Sequence, residues 1–138
     1  MALGFVFPGQ GSQSVGMMAA LGASDAAVRA TFDAASAVLG YDLWHLAQQG
    51  PENDLNSTER TQPVMLVAGV ATWRVWRARG GPDPDVVSGH SLGEFTALVC
   101  AGSIPFATAV DLVRFRGQAM QAAVAPGLGL LAAILGLD

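Results

Sequence analysis

The chain has 138 residues, a formal net charge of −4, 51% hydrophobic residues and only 13% charged ones. That is enough for one domain with a core and too little for two, and the acidic balance excludes the basic footprint of a nucleic-acid binder. Cys100 is the single cysteine, so no internal disulfide forms, and neither a secretion signal nor a membrane-length apolar run is visible; a cytoplasmic protein without a membrane partner is expected.

Leu3 to Phe7 (LGFVF) is a short apolar run closed by Pro8-Gly9, which predicts a buried strand. The loop GQGSQ follows, and Ser14 to Leu21 predicts a short helix. Ser24 is placed to cap a helix to Leu39, with Val28, Phe32, Ala35 and Leu39 on one face and Gly40 as its stop. Asp42 caps LWHLAQQ, which Gly50 ends. PENDLNSTER is expected to be a polar loop. A longer helix is expected from near Thr61 to Arg79, with Pro63 in its first turn and Gly80-Gly81 after it. Asp85 to Ser88 predicts a second strand, Leu92 to Ala101 an apolar helix, and Phe106 to Val124 the last helix. Strands that alternate with helices indicate an α/β layer on parallel strands.

The tail, GLGLLAAILGLD, is a final apolar strand candidate that nothing downstream could pair with or cover. The chain is therefore expected to be the N-terminal part of a longer protein.

Within VVSGHSLGEF, Gly89, Ser91 and Gly93 match the G-x-S-x-G elbow. In that turn a strand passes sharply into a helix and lifts the serine hydroxyl clear of the sheet. The glycines leave room for the crossing backbone, and the helix start offers free N–H groups beside the serine. A glycine-rich turn with an incidental serine is the bland alternative, but the strand before and helix after favour the elbow. His90 adjoins Ser91, so its side chain leaves the turn in another direction and makes a poor base. His45, among Leu43, Trp44 and Leu46, reads as a partly exposed helical residue. No histidine follows Ser91, so the general base that an elbow nucleophile needs is missing from these residues.

The last helix carries two arginines. At about 100° per residue, Phe106, Ala109, Val110, Val113, Met120 and Val124 form one apolar arc, and Leu112, Phe115, Ala119 and Ala123 extend it. Arg116 falls inside that arc, whereas Arg114 falls outside it with Asp111, Gln118 and Gln121 and reads as a surface charge. A charge in an apolar stripe is costly unless paired. It could be a structural ion pair or a snorkelling stem, or a guanidinium fork held to grip a substrate carboxylate. Spacing leaves both open.

Taken together and in this order, FVFPGQGSQ, the TQP of Thr61 to Pro63, GHSLGE and VRFRGQAMQ closely resemble the malonyl-CoA:acyl-carrier-protein transacylase family of fatty-acid synthesis, which is related to polyketide-synthase acyltransferase domains. The resemblance implies an α/β-hydrolase-like acyltransferase core over residues 1–126. Residues 127–138 would then be the first strand of a ferredoxin-like small subdomain. It implies Ser91 as the nucleophile that takes malonyl from coenzyme A, and the backbone N–H groups of Gln10 and Leu92 as the oxyanion hole. Arg116 would bind the malonyl carboxylate, with His90 and Gln62 as supporting residues. Acyl carrier protein would be the acceptor, and neither cofactor nor metal is implied. In the family the catalytic histidine lies in a C-terminal portion, so these residues alone are expected to turn over little or not at all. The competing readings are a lipase- or esterase-type serine hydrolase, and a non-catalytic remnant that binds carrier or coenzyme A.

Overall fold

The computed structural model describes residues 2–124 together with 128 and 136. In chain order the elements are β1 (Gly4–Phe7), α1 (Ala19–Ser24), α2 (Ala26–Leu39), α3 (Leu43–Gln49), α4 (Glu52–Leu55), α5 (Thr58–Ala78), β2 (Val86–Gly89), α6 (Leu92–Cys100) and α7 (Phe106–Ala123). Among the described residues β1 and β2 form a parallel pair, with Gly4 opposite Val86 and Phe7 opposite Gly89. The α/β layer on parallel strands is borne out. The tail strand expected over 127–138 lies outside the described residues.

The core belongs to the helices. α5 is the central post: its Val64, Leu66, Val67 and Ala71 are wholly buried, and they meet Phe32 of α2, Leu92 of α6 and Val110 and Val113 of α7 in one cluster. A helix apolar on so much of its circumference has to be covered on several sides, which is why three helices pack around it. α7 comes closest. A Cβ on Gly117 would stand 2.7 Å from Glu59 Cα, so only glycine lets the two helices cross at this point. No helix of the described residues is long and apolar enough to cross a membrane.

Several boundaries differ from the sequence reading. α1 starts at Ala19 because turns occupy the residues before it, and it ends at Ser24. The cap of α2 is therefore Asp25, whose side chain accepts from Ala27 N–H at 3.0 Å. Aspartate at this position satisfies an orphan amide that Ser24, one residue too early, cannot reach. Gly40 ends α2 with φ 77°, and Asp42 caps α3 through His45 N–H, as expected.

PENDLNSTER is not a loop. It holds α4 and the first turn of α5, which begins at Thr58, one turn before Thr61. Tertiary contacts override its polar composition: Leu55 is fully buried, and Thr61 Oγ1 donates to Leu55 O at 2.5 Å. Pro63 consequently lies inside α5 and not in its first turn.

The apolar arc of α7 is also narrower than its sequence suggests. Ala109, Val110, Val113 and Gly117 are buried, whereas Leu112 is 40%, Phe115 66%, Met120 43% and Val124 50% exposed. Only the stripe turned toward α5, α2 and α6 is closed over by the described residues.

Candidate active site

The elbow is where β1, β2 and α6 come closest together. β2 ends at Gly89, Ser91 is the N-cap of α6, and Ser91 has φ 54° and ψ −110°. A non-glycine residue at positive φ costs on the order of 1–3 kcal/mol and persists only where its surroundings enforce it. Here they do. A Cβ on Gly89 would lie 2.0 Å from the carbonyl carbon of Gly93, and one on Gly93 would lie 2.1 Å from Phe7 O. His90 N–H donates to Phe7 O at 3.4 Å and Gly93 N–H to His90 O at 2.9 Å, which ties the turn to the end of β1. Serine is thus held at the tip of the turn, and its side chain is exposed as the elbow pattern requires.

Arg116 reaches this tip from α7. Its Nη2 donates to Ser91 Oγ at 3.0 Å and its Nη1 donates to Gln62 Oε1 at 2.8 Å. The arginine is half-buried, with Cζ 5.6 Å from the centroid of the Phe95 ring. Among the described residues no carboxylate pairs with it. Arg114, two residues earlier, does pair with a carboxylate: Nη2 donates to Asp111 Oδ1 at 2.5 Å. It is half-buried, with its Nε out of contact with solvent and without a hydrogen-bond partner among the described residues, so it is not the plain surface charge expected.

Gln62 belongs to the same constellation. It is fully buried on α5, and its Nε2 donates to Met120 Sδ at 3.2 Å. The Gly117 crossing sets this up, because close approach of α7 to α5 brings Arg116 and Met120 beside Gln62. Phe95 and Met120 have no site role in the sequence reading. Helical spacing carried a signal for both: Met120 follows Arg116 by one turn, and Phe95 follows Ser91 by one turn.

The other expected residues are placed as follows. Gln10 is exposed in the loop after β1, with its Nε2 donating to Thr58 Oγ1 at 3.2 Å, which anchors that loop to the start of α5. Leu92 opens α6, where the next two amides, those of Gly93 and Glu94, bond to His90 O and Ser91 O. No such bond is found for the Leu92 N–H among the described residues, as befits the first amide of a helix. His90 is exposed and takes part in the turn through its backbone. His45 is exposed on α3, away from the constellation.

A cavity of about 300 Å³ lies behind β1, lined by Phe5, Phe7, Met17, Met65 and Trp73 among others. It holds no titratable side chain, and Ser91, Arg116 and Gln62 do not line it.

Residues 4–134 match the acyl transferase domain family. The chain belongs to that family. Among its acyl transferase relatives, the malonyl CoA-acyl carrier protein transacylase of Salmonella typhimurium is 60% identical over 134 residues, 97% of this chain and 43% of that protein. The 1.7 Å crystal structure of an acyl carrier protein S-malonyltransferase from Vibrio cholerae superposes with a TM-score of 0.90 at 58% identity, covering 92% of this chain and 42% of that one. A malonyl-transacylase solved in complex with its type II polyketide-synthase acyl-carrier protein gives a TM-score of 0.90 at 56% identity, over 92% of this chain and 41% of its own. The chain spans less than half the length of the acyl transferase relatives it matches.

Proposed function

We propose that this chain supplies the nucleophile and the carboxylate clamp of a malonyl transfer site that works in the cytoplasm. Ser91 takes the malonyl group from the coenzyme A thioester as a seryl ester, and the phosphopantetheine thiol of acyl carrier protein then removes it. The Gln10 and Leu92 amides receive the oxyanion formed in each half-reaction. A preorganised donor of this kind contributes about 3–4 kcal/mol to transition-state stabilisation. Arg116 grips the free carboxylate of malonyl, Gln62 holds the guanidinium, and His90 supports the turn. Residues 1–126 belong to the hydrolase-like core and 127–138 open the small subdomain. No cofactor is required, because a covalent ester divides one thiol-to-thiol transfer into two similar steps.

The observation that carries this reading is the 3.0 Å contact between Arg116 Nη2 and Ser91 Oγ. It puts the cation in direct contact with the nucleophile, within reach of the far carboxylate of a three-carbon acyl group carried on that oxygen. An acyl group bound there without a carboxylate leaves that half-buried cation unmatched, which penalises acetyl against malonyl.

A binding-only reading draws on one fact: the sequence has two histidines, His90 and His45, and among the described residues neither hydrogen-bonds Ser91 Oγ, whose partner is Arg116. Exposure of the chain to malonyl-CoA, followed by mass spectrometry of the Ser91 peptide, separates the two. A malonyl ester on Ser91, absent in Ser91→Ala, is expected. Bound but unreacted malonyl-CoA would support the binding-only reading.

A further inference from the structure

Arg116 divides its terminal nitrogens between two partners, Gln62 Oε1 and Ser91 Oγ. A guanidinium has only donors, so the serine oxygen is the acceptor in the second contact and turns a lone pair toward the cation. Attack on an acyl carbon draws on the lone pairs of Oγ. A charged donor seated on that oxygen withdraws electron density and narrows the approach.

The guanidinium is held in that position. Gln62 is fully buried, with its amide oxygen toward Arg116 and its amide nitrogen toward Met120 Sδ. Flipping the amide would set N–H against N–H at Arg116, so the orientation follows from the partners. The Phe95 ring lies beside Cζ as well. Arg114, two residues away on the same helix, is tied instead to its own Asp111.

We propose that Arg116 is a brake on Ser91 that a carboxylate releases. A carboxylate arriving at the fork takes Nη2 from Ser91 Oγ, because a charge-assisted bond to a carboxylate outcompetes one to a neutral hydroxyl. The serine is then free to attack. This rests on the reading of Ser91 as an acyl nucleophile and adds a second origin of selectivity. A malonyl thioester brings its own release, whereas an acetyl thioester meets a restrained oxygen. The releasing carboxylate need not be attached to the acyl group. Formate beside an acetyl group fills nearly the same space as malonyl, so formate is an activator of acetyl transfer to Ser91. In that transfer the Oγ–C bond forms and the C–S bond breaks. The hydroxyl proton leaves with the departing thiol.

The test uses the 138-residue chain and the acetyl thioester of an uncharged small thiol, N-acetylcysteamine. Acetylation of Ser91 is followed by peptide mass spectrometry with formate, or with chloride at equal ionic strength. Formate is expected to accelerate acetylation saturably, on the order of ten-fold. Arg116→Gln, which lacks the brake, should acetylate faster than the unmodified chain does in chloride, at a rate that formate does not change. Arg116→Lys, which keeps the charge and loses the fork, should show a smaller formate response, and it decides the matter if Arg116→Gln does not fold by circular dichroism. No formate effect, slower acetylation in formate, or full acceleration by formate in either variant overturns the brake. The malonyl thioester of the same thiol runs in parallel. If it acylates Ser91 while formate does nothing for acetyl, the brake fails and the proposed function stands. If neither thioester acylates Ser91, both fail.

Discussion

The helical block and the strand pair differ in how completely they are closed. Val64, Leu66 and Val67 on α5 and Phe32 on α2 have no exposure, whereas Val6 on β1 is 80% and Val86 on β2 is 60% exposed. Yet the strand pair carries the elbow, a turn that close backbone contacts hold on both sides of Ser91. Its precision comes from backbone contacts at Gly89 and Gly93 and not from a filled apolar layer. Global stability and site geometry therefore rest on different residues, and Gln62 joins them: buried in the helical block, it holds the arginine that meets the serine.

That division can be broken at the turn first. Gly93→Ala would drive a Cβ to 2.1 Å from Phe7 O, in backbone that cannot yield. The expected loss is about 4 kcal/mol or more in urea denaturation, with Ser91 acylation abolished in whatever folds. A smaller loss with acylation retained would mean that the turn is softer than its contacts imply.

Truncating the two regions at matched apolar positions sharpens the contrast. Leu66→Ala, in the closed block, should cost about 3 kcal/mol. Val6→Ala, on the open face, should stay within about 0.5 kcal/mol. Equal losses would erase the distinction. Within the helical block, the correction at the start of α2 predicts an unequal pair as well. Asp25→Ala should cost about 1 kcal/mol through the lost cap, and Ser24→Ala clearly less, both read from urea midpoints.

The last prediction concerns Cys100, at the end of α6. Burial pushes its thiol up to about 12 from an ordinary 9.0, so the folded chain keeps its proton where the unfolded chain releases it. The unfolded state then binds fewer protons above pH 9, and stability falls as pH rises from there toward 12. Tyr41, raised by burial, acts in the same direction. The urea midpoint should drop between pH 8 and pH 10, and drop less in Cys100→Ala. An unchanged alkaline drop in that variant would place its origin elsewhere.

Much of the site was legible because its signals are local. The elbow compresses strand end, tight turn and helix start into ten residues, so one motif specifies the backbone that presents Ser91. Arg116 stood out because a charge inside an apolar arc needs a reason. What that reason is could not be read from spacing, because its partners Gln62 and Ser91 lie 54 and 25 residues away. PENDLNSTER was misread for a related cause: its composition is that of a loop, and burial of Leu55 decides otherwise.

By itself, the sequence determined the order of strands and helices apart from α4, the elbow with its serine, and the presence of an arginine that ordinary surface patterning does not explain. Periodicity, glycine placement and caps act over a few residues, so they survive translation into structure nearly unchanged. Only the tertiary structure decided which face of α7 is covered, that Asp25 and not Ser24 caps α2, and that Arg116 bridges a buried glutamine to the serine. The coverage of α7 and the Arg116 bridge depend on how closely α7 can approach α5 at Gly117, and no local pattern in a single chain encodes the distance between two helices.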